Sequence, residues 1–401
     1  MSTLDLPHAL LPDGTVAGTR LEVADGMITA VEPLAPDGST PDVLTLPGLA
    51  NCHSHAFHRA LRGHTQRERG SFWTWREQMY AVAADLTPDT YFELARSTYA
   101  EMVATGITAV GEFHYLHHQP DGTHYADPNE MGRALLAAAD DAGIRIRLLD
   151  TCYLAAGFGR APEGVQVRYS DGDAHAWAER VAAFDDPRVG AAIHSVRAVP
   201  PEQLGVVVEA AQGRPLHVHL SEQVAENEAC LAATGRTPTQ LLAEAGALGP
   251  LTSAVHATHL TDDDVRLLGE SRTRVCFCPT TERDLADGIG PARRLHDAGA
   301  VLTLGSDSHA VIDLFEEMRA VELHERLATQ ERGHWSAVEL LAAATRDGHA
   351  SLGFDDAGRI AVGQRADLVD VDLTSVRTRG TGASAETLVY AATGADVRAR
   401  S

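Results

Sequence analysis

One pattern repeats eight times between residues 43 and 309: a short apolar run, then a stretch rich in Ala, Leu, Glu and Arg. The eight runs are VLTLPGLANCH, ITAVGEFH, RIRLLDTCY, VGAAIHS, PLHVHLSE, TSAVHATH, RVCFCPTTE and VLTLGSDSH. Strands that alternate with helices form parallel sheets, because each helix carries the chain back to the start of the next strand. The pattern predicts an α/β fold, a (β/α)8 TIM-like barrel over residues 48–354. A doubly wound sheet is less favoured, since no glycine-rich phosphate loop follows the first strand.

The two ends of the chain have a different texture. Residues 1–47 contain short alternating apolar stretches broken by Gly, Asp and Pro, which is typical of a β meander. The stretch GRIAVGQRADLVDVDL, within residues 355–401, returns to the same texture. We therefore expect both ends to build one small β-sandwich domain beside the barrel.

Charge and composition limit the classes of partner. The net charge is −23, and such a surface repels phosphate backbones and anionic membranes. We therefore expect neither nucleic acid nor a membrane as a partner. An anionic substrate would need positive charge placed inside the site. The chain has no lysine at all, which excludes a Schiff-base lysine, a P-loop and a carbamylated lysine bridging two metals.

The N-terminus and the cysteines bear on the compartment. The start MSTLDLPHALLPDG has no basic region typical of a signal peptide, and we expect a cytoplasmic protein. Five widely spaced cysteines do not form a disulfide framework. Cys276 and Cys278 share one strand face; buried core thiols are favoured over a zinc pair.

Polar side chains gather where the apolar runs end. His53 and His55 lie at the end of the first run, and His194 lies at the end of the fourth. The ends of the fifth, sixth and eighth runs carry, respectively, His217 and His219, His256 and His259, and Asp307 and His309. The carboxyl ends of barrel strands meet on one face, where the active sites of this fold are built. This regularity predicts a single site on that face.

A metal centre is the first feature predicted for that face. His53 and His55 lie two apart on one strand, so both side chains point the same way. With His219 and Asp307 they make a set of three histidines and one carboxylate, suited to Zn²⁺ or Fe²⁺ with a position left for water. No bridging residue is evident, so one divalent metal ion, Zn²⁺ before Fe²⁺, is favoured over two.

Two further residues are candidates for proton transfer. Glu222 lies three residues beyond His219, where its carboxylate could take a proton from an activated water and pass it to a leaving nitrogen. The alternative is a surface glutamate at the start of the next helix. His256 is a candidate to hydrogen-bond the group under attack, whereas its neighbour His259 is more simply structural.

These residues resemble a known family. The HxH after the first run, HLSE after the fifth and GSDSH after the eighth are similar to the amidohydrolase superfamily, whose mononuclear deaminases release ammonia from an amidine carbon. The strings SFWTWREQMY, EFHYLHH, YADPNE, AGFG, HSVRAV, VHATH and DGIGP resemble formimidoylglutamate deiminases from about residue 47 to about residue 370. The resemblance implies hydrolysis of N-formimino-L-glutamate to N-formyl-L-glutamate and ammonia, a step of histidine degradation, in a possible homodimer.

The resemblance also implies roles. It places the metal on His53, His55, His219 and Asp307, and the proton shuttle on Glu222 with His256 and Asp307 assisting. It assigns the small anionic dicarboxylate substrate to Arg76, Tyr115, His194 and Arg197. Guanidinium groups bind carboxylates through paired hydrogen bonds, so arginines near the strand ends suit such a substrate, although a surface salt bridge is the alternative for each.

One residue departs from the family pattern, and two alternative functions have to be considered. His58 stands where the family usually has a glutamine, and we expect it to contact substrate. A neutral imidazole offers one donor and one acceptor, much of what an amide offers. The nearest rival is a deaminase of guanine or another cyclic amidine, which would favour stacking groups over two arginines. A barrel without activity would usually have lost ligands that this chain retains.

Overall fold

The strands fall into two sheets. The computed structural model describes residues 1–35, 42–66 and 70–398. Its strands are β1 Ser2–Leu11, β2 Gly14–Ala24, β3 Met27–Pro33, β4 Val43–Pro47, β5 Leu49–Ser54, β6 Ile107–His114, β7 Arg145–Cys152, β8 Val189–Ile193, β9 Leu216–Leu220, β10 Thr252–His256, β11 Arg274–Phe277, β12 Val301–Leu304, β13 Leu368–Asp372 and β14 Val397–Arg398.

Strands β5 to β12 form an eight-stranded parallel sheet in chain order. Its edges meet where the Asp307 N–H donates to the His53 carbonyl at 3.0 Å and the His55 N–H donates to the Asp307 carbonyl at 3.2 Å. These bonds bring the first and last strands together into a nearly closed barrel. The predicted barrel fold is confirmed, and its closure lies at residues predicted to bind metal.

Helices surround the barrel. They are α1 Phe72–Asp85, α2 Pro88–Ala104, α3 Glu130–Ala142, α4 Ala174–Ala182, α5 Pro201–Ala210, α6 Val224–Thr234, α7 Pro238–Glu244, α8 Asp262–Glu270, α9 Pro279–Asp284, α10 Ala292–Ala298, α11 Leu314–Thr329, α12 Ala337–Ala344, α13 Arg346–Ser351 and α14 Ala385–Tyr390. Local sequence sets their ends: Thr87 caps α2 ahead of Pro88, and Gly143 ends α3 in the left-handed conformation. None of the helices in the described ranges is long and apolar enough to cross a membrane.

The terminal segments form a second, six-stranded sheet in the order β14-β13-β4-β1-β2-β3. The N-terminal meander β1–β3 pairs antiparallel, and β13 pairs with β4, so both ends of the chain contribute as predicted. The predicted division of the chain into domains at residues 47/48 and 354/355 stays a prediction. Within the predicted terminal domain, residues 36–41 and 399–401 lie outside the described residues.

The first apolar run is not one strand as predicted, because it divides at Gly48 between the two sheets. A β-carbon at Gly48 would overlap the side chain of Thr108 on β6, so only glycine lets the backbone pass there. Residues 43–47 therefore join the terminal sheet, and residues 49–54 open the barrel. Within the barrel, Cys276 and Cys278 are fully buried, as expected of core thiols.

Candidate active site

Four side chains converge at the carboxyl end of the barrel; we call them the histidine–aspartate cluster: His53, His55, His219 and Asp307. The Nε2 atom of His219 lies 3.0 Å from that of His53 and 3.3 Å from that of His55. Oδ1 of Asp307 lies 3.4 Å from Nε2 of both His53 and His55. The structure therefore brings together all four residues predicted as metal ligands, although their role stays a prediction.

The hydrogen bonds behind the rings show what this cluster can hold. Nδ1 of His55 lies 3.0 Å from the Phe113 carbonyl, and Nδ1 of His219 lies 2.9 Å from the His194 carbonyl. A carbonyl only accepts, so each Nδ1 carries the proton and each neutral ring presents a lone pair at Nε2. Two lone pairs 3.3 Å apart beside a carboxylate repel one another unless a cation lies between them. The donor set therefore fits a divalent metal ion.

The protonation states agree with this. Burial, the largest effect, lowers the pKa of His53, His55 and His219, so these rings are neutral near pH 7. Burial opposes ionisation of Asp307, but its contact with His53 and the neighbouring imidazoles hold its pKa well below the usual range. Neutral imidazoles and an ionised carboxylate are the forms that bind metal.

A buried chain of hydrogen bonds supports the cluster from behind. The Asn51 amide donates to Ser306 Oγ at 2.7 Å, and Ser306 Oγ lies 3.0 Å from Nδ1 of His309. Nε2 of His309 lies 3.0 Å from Ser54 Oγ, which donates to Glu112 at 2.6 Å. Because Glu112 accepts when ionised, the donors run in one direction and put the His309 proton on Nε2. His309 is thus a support and not a cluster member.

Glu222 and His256 lie beside the cluster. Nε2 of His256 is 3.7 Å from Oε1 of Glu222 and 3.8 Å from Oδ2 of Asp307, while its Nδ1 lies 3.3 Å from Glu282. Burial disfavours the charged ring, but Glu222, Glu282 and Asp307 outweigh it and raise the pKa of His256 to about 10. Burial also raises the pKa of Glu222 to about 7. A carboxyl group with a pKa near neutrality can both accept and donate a proton.

The backbone that carries these groups is strained. Five non-glycine residues at or just past the ends of β9, β10 and β12 have positive φ, between 42° and 68°: Ser221, His256, Ala257, Asp307 and His309. Such conformations cost on the order of 1–3 kcal/mol each and gather at functional sites. They turn side chains that would otherwise follow strand alternation toward one point.

The cluster opens into one pocket of about 600 Å³. Predicted residues that line it are His55, His58, Arg76, Tyr115, His194, Arg197, His219, Glu222, His256 and Asp307. His53 is fully buried beneath it, in contact with His219. Every residue for which a metal-binding, catalytic or substrate-binding role was predicted is therefore at the pocket or directly under it, whereas His217, His259 and His309 do not line it.

The two arginines differ in how they are held. Arg76 on α1 lies 4.5 Å from the centre of the Trp73 ring and 5.5 Å from that of Tyr80, and its buried Nε has no partner among the described residues. Arg197 follows β8 and faces the same pocket. Its charge lowers the pKa of His194, adding to the larger effect of burial. Both guanidinium groups remain able to bind an anion.

His58 is a pocket residue and not a member of the histidine–aspartate cluster. Its Nε2 lies 3.0 Å from the Tyr115 hydroxyl, and its ring packs 5.1 Å from that of Trp75. Burial lowers its pKa to about 3, so the ring is neutral. Its buried Nδ1 has no partner in the described chain and is available to a ligand.

Several pocket features were not predicted from the sequence. Glu282 holds His256 from α9, and Phe72, Trp75, Met79, Tyr80, Tyr153, Tyr169 and Leu285 complete the pocket lining. Tyr153 and Glu282 could both have been suspected, because they end the third and the seventh apolar runs. No role was predicted for either residue.

Comparison with known proteins places this site in a family. The model of the amidohydrolase family matches residues 44–398. The chain belongs to the amidohydrolase family. The resemblance inferred from the sequence motifs is thereby confirmed, and the chain is an enzyme of the hydrolase class.

Relatives of this amidohydrolase include deaminases of different substrates. It is 38% identical to formimidoylglutamate deiminase of Pseudomonas aeruginosa, over 93% of this chain and 86% of the relative. It is 30% identical to 5-methylthioadenosine/S-adenosylhomocysteine deaminase of Natronomonas pharaonis, over 99% of this chain and 90% of the relative. The family is thus established, and the substrate has to be argued from the site.

A solved structure bears on the metal. The adenosine deaminase of Xanthomonas campestris with bound zinc superposes on this amidohydrolase with a TM-score of 0.83 at 26% identity. The match covers 98% of this chain and 90% of that one. A structural neighbour therefore holds zinc, and this chain has a donor set that fits a metal ion.

Proposed function

We propose that the protein hydrolyses N-formimino-L-glutamate to N-formyl-L-glutamate and ammonia, which would place it in histidine degradation. One observation carries the proposal: a single pocket joins the histidine–aspartate cluster, with Glu222 and His256, to two arginines able to bind carboxylates. The groups of the substrate match the two sides of this pocket: an amidine at one end of the molecule and two carboxylates on the rest of it. The identity to a formimidoylglutamate deiminase supports the same assignment.

We propose that the histidine–aspartate cluster holds one divalent cation, Zn²⁺ in preference to Fe²⁺. When bound, such a cation lowers the pKa of a coordinated water toward about 7 and polarises the group under attack. The set of imidazoles and one carboxylate suits either metal.

The chain's own residues then manage the protons. Glu222 accepts one proton from the attacking water as the oxygen–carbon bond forms at the amidine carbon. Its pKa of about 7 suits it to give that proton to the terminal nitrogen, which becomes an amino group. Glu222 then passes the second water proton, from the hydroxyl of the adduct, to the same nitrogen; the carbon–nitrogen bond breaks, ammonia leaves, and the formyl C=O bond forms. His256, protonated and held by Glu282, donates a hydrogen bond to the group under attack.

Substrate orientation falls to the other wall of the pocket. We propose that Arg76 and Arg197 each bind a carboxylate, with Tyr115, His194 and His58 completing the contacts. Fixing both carboxylates would hold the amidine carbon between Glu222 and the cluster. This would lower the entropic cost of orienting the reacting groups.

The test is product analysis with the purified, metal-loaded protein. Incubation with N-formimino-L-glutamate should release ammonia and N-formylglutamate. Formamide plus glutamate would instead indicate cleavage of the other carbon–nitrogen bond. No turnover by the fully loaded protein would contradict the proposal.

A second candidate is deamination of a cyclic amidine such as a purine. The observation in its favour is the aromatic lining of Phe72, Trp75, Tyr80, Tyr115, Tyr153 and Tyr169, which could stack on a ring. A neutral ring would leave two arginines in the pocket without an anionic partner, which disfavours it. The same assay with guanine and S-adenosylhomocysteine separates the candidates. A cytoplasmic location and a homodimer remain predictions.

A further inference from the structure

Gln166 makes a contact pattern that no catalytic step requires. It lies in the 3-10 helix Gly164–Tyr169 and is almost fully buried. Its Nε2 lies 2.8 Å from the Tyr153 hydroxyl and 3.0 Å from the Tyr80 hydroxyl. Its Oε1 accepts from the Glu163 N–H at 3.2 Å.

The Glu163 contact fixes how the amide faces. A backbone N–H can only donate, so the oxygen of the Gln166 amide must face Glu163 and the NH₂ must face the two phenols. Each phenol oxygen therefore accepts a proton from Gln166, and its own O–H has to point elsewhere. Neither O–H can donate to the Gln166 NH₂ group, so a phenolic proton remains available to a ligand.

That proton lies on the wall of the candidate active site. Tyr80 and Tyr153 both line the pocket with Arg76. Burial raises the pKa of Tyr153, against the smaller opposite effects of the two pocket arginines, so the phenol stays a donor at neutral pH. The Arg76 guanidinium lies 5.5 Å from the centre of the Tyr80 ring. Phenol donors beside a guanidinium suit a carboxylate.

The position of the phenols relative to the histidine–aspartate cluster decides which of the two substrate carboxylates they would bind. The His194 ring packs 5.2 Å from that of His219, and the Tyr153 ring packs 4.7 Å from that of His194. Among the described residues Tyr153 makes no ring contact with His219 itself, so the phenol of Tyr153 approaches the cluster only through His194.

We propose that Gln166 is a positioning residue that aims the hydroxyls of Tyr80 and Tyr153 so that, with Arg76, they bind the substrate carboxylate farther from Glu222. The inference rests on the proposed function, because it assumes a dicarboxylate. It adds a distal carboxylate subsite and the residue that organises it.

Variants of the three residues test this with two probes. Glutarate offers two carboxylates and butyrate one on a similar chain. Tyr80→Phe, Tyr153→Phe and Gln166→Leu should each weaken glutarate binding, measured by calorimetry on the metal-loaded protein, about tenfold, or about 1.4 kcal/mol. Butyrate binding and metal content should not change. Tyr91→Phe, which removes a buried phenol outside the pocket, should leave both affinities as they are.

The combined variant separates positioning from mere packing. If Gln166 acts through the phenols, Gln166→Leu should add less than twofold to Tyr80→Phe/Tyr153→Phe. With N-formimino-L-glutamate, the single variants should raise KM and leave kcat within about twofold. Full additivity, or equal losses for glutarate and butyrate, would overturn the inference.

The outcomes distinguish the inference from the proposed function. Turnover of N-formimino-L-glutamate with unchanged KM in all three variants overturns the subsite alone. Glutarate binding that depends on Gln166, without turnover of that substrate, supports the subsite and overturns the function. Neither turnover nor glutarate binding overturns both.

Discussion

Replacing Arg180 by methionine should destabilise the fold more than any exposed arginine does. Arg180 on α4 is 3% exposed, and its guanidinium contacts Asp150 at 2.8 and 2.9 Å and Asp171 at 2.8 and 3.0 Å. Its remaining N–H donates to Asn129 at 3.0 Å, so all five donors are used. Asp150 is fully buried, and Asp171 has a 3% exposed side chain. Removing Arg180 would leave two buried carboxylates without their cation.

The magnitude follows from these contacts. Although burial opposes it, Arg180 helps to lower the pKa of Asp150 from 3.8 to about 2, which corresponds to about 2 kcal/mol of stabilisation. The pKa of Asp171 is also lowered, so a total near the 3–5 kcal/mol typical of a broken buried pair is expected. Unfolding entropy of about 2.1 cal/mol/K per residue gives about 0.8 kcal/mol/K for 401 residues. The melting temperature should therefore fall by about 5 °C.

Arg188 provides the matched control. It also pairs with two carboxylates at similar distances, Asp140 at 2.8 Å and Asp186 at 2.9 Å, but it is 34% exposed. Arg188→Met removes the same charge and should cost about 1 kcal/mol or less. Calorimetric melting of both variants beside the parent protein measures the difference. Equal losses would refute the argument that burial decides the cost.

The pH dependence of the melting temperature tests independently whether Arg180 stabilises the ionised forms of Asp150 and Asp171. In the parent protein the folded pKa of Asp150 lies below its unfolded value, so its contribution is present above about pH 4 and lost toward pH 2. Without Arg180, burial should dominate and raise both folded pKa values above the unfolded ones, so acid would stabilise the variant. The difference in melting temperature should therefore narrow from pH 7 to pH 5, and a wider gap would contradict this.

Three further predictions concern the site. Glu222→Gln should keep the metal but lower kcat by about 10²- to 10⁴-fold, because the proton shuttle is lost; near-normal turnover would remove Glu222 from the mechanism. Arg197→Met should raise KM at least tenfold without changing the melting temperature, because Arg197 makes no hydrogen bond or ion pair within the described residues; an unchanged KM would argue against its role. Chelation should lower the melting temperature as well as activity, with both restored by Zn²⁺, since a ligand of the folded state stabilises it.

The sequence allowed the barrel and the location of the site to be predicted for one physical reason. Eight alternating runs require a parallel sheet, and a closed parallel sheet brings all carboxyl ends to one face. Residues as distant as His55 and Asp307 therefore had to approach each other. The sequence pattern predicted the face of the barrel on which the pocket lies, but no distance between the side chains. The prediction of one continuous strand over the first run was wrong: the chain passes from one sheet to the other at Gly48, next to the division predicted at residues 47/48.

Contacts made past the strand ends could not be predicted. Glu282 reaches His256 because the chain turns into α9 directly after β11, and Gln166 meets Tyr80 across 86 residues. Gln166 belongs to no periodic pattern, and Glu282, although it ends the seventh run, lies past β11, where spacing no longer fixes the direction of a side chain. Residues that position catalytic or binding groups are therefore harder to predict than those groups themselves.

The motif His53-Ser54-His55 shows where alternation stops being informative. As far as His55, the first residue after β5, it holds: the two histidines point into the cluster, and Ser54 points away to donate to Glu112 at 2.6 Å. Beyond the strand it fails, because His309 lies two residues after Asp307 and yet supports the cluster from behind through Ser54. Positive φ angles at both residues, 42° and 59°, reverse the direction that spacing would predict. The direction of a side chain on or next to a strand can thus be predicted from spacing, whereas on a strained turn it requires the backbone conformation.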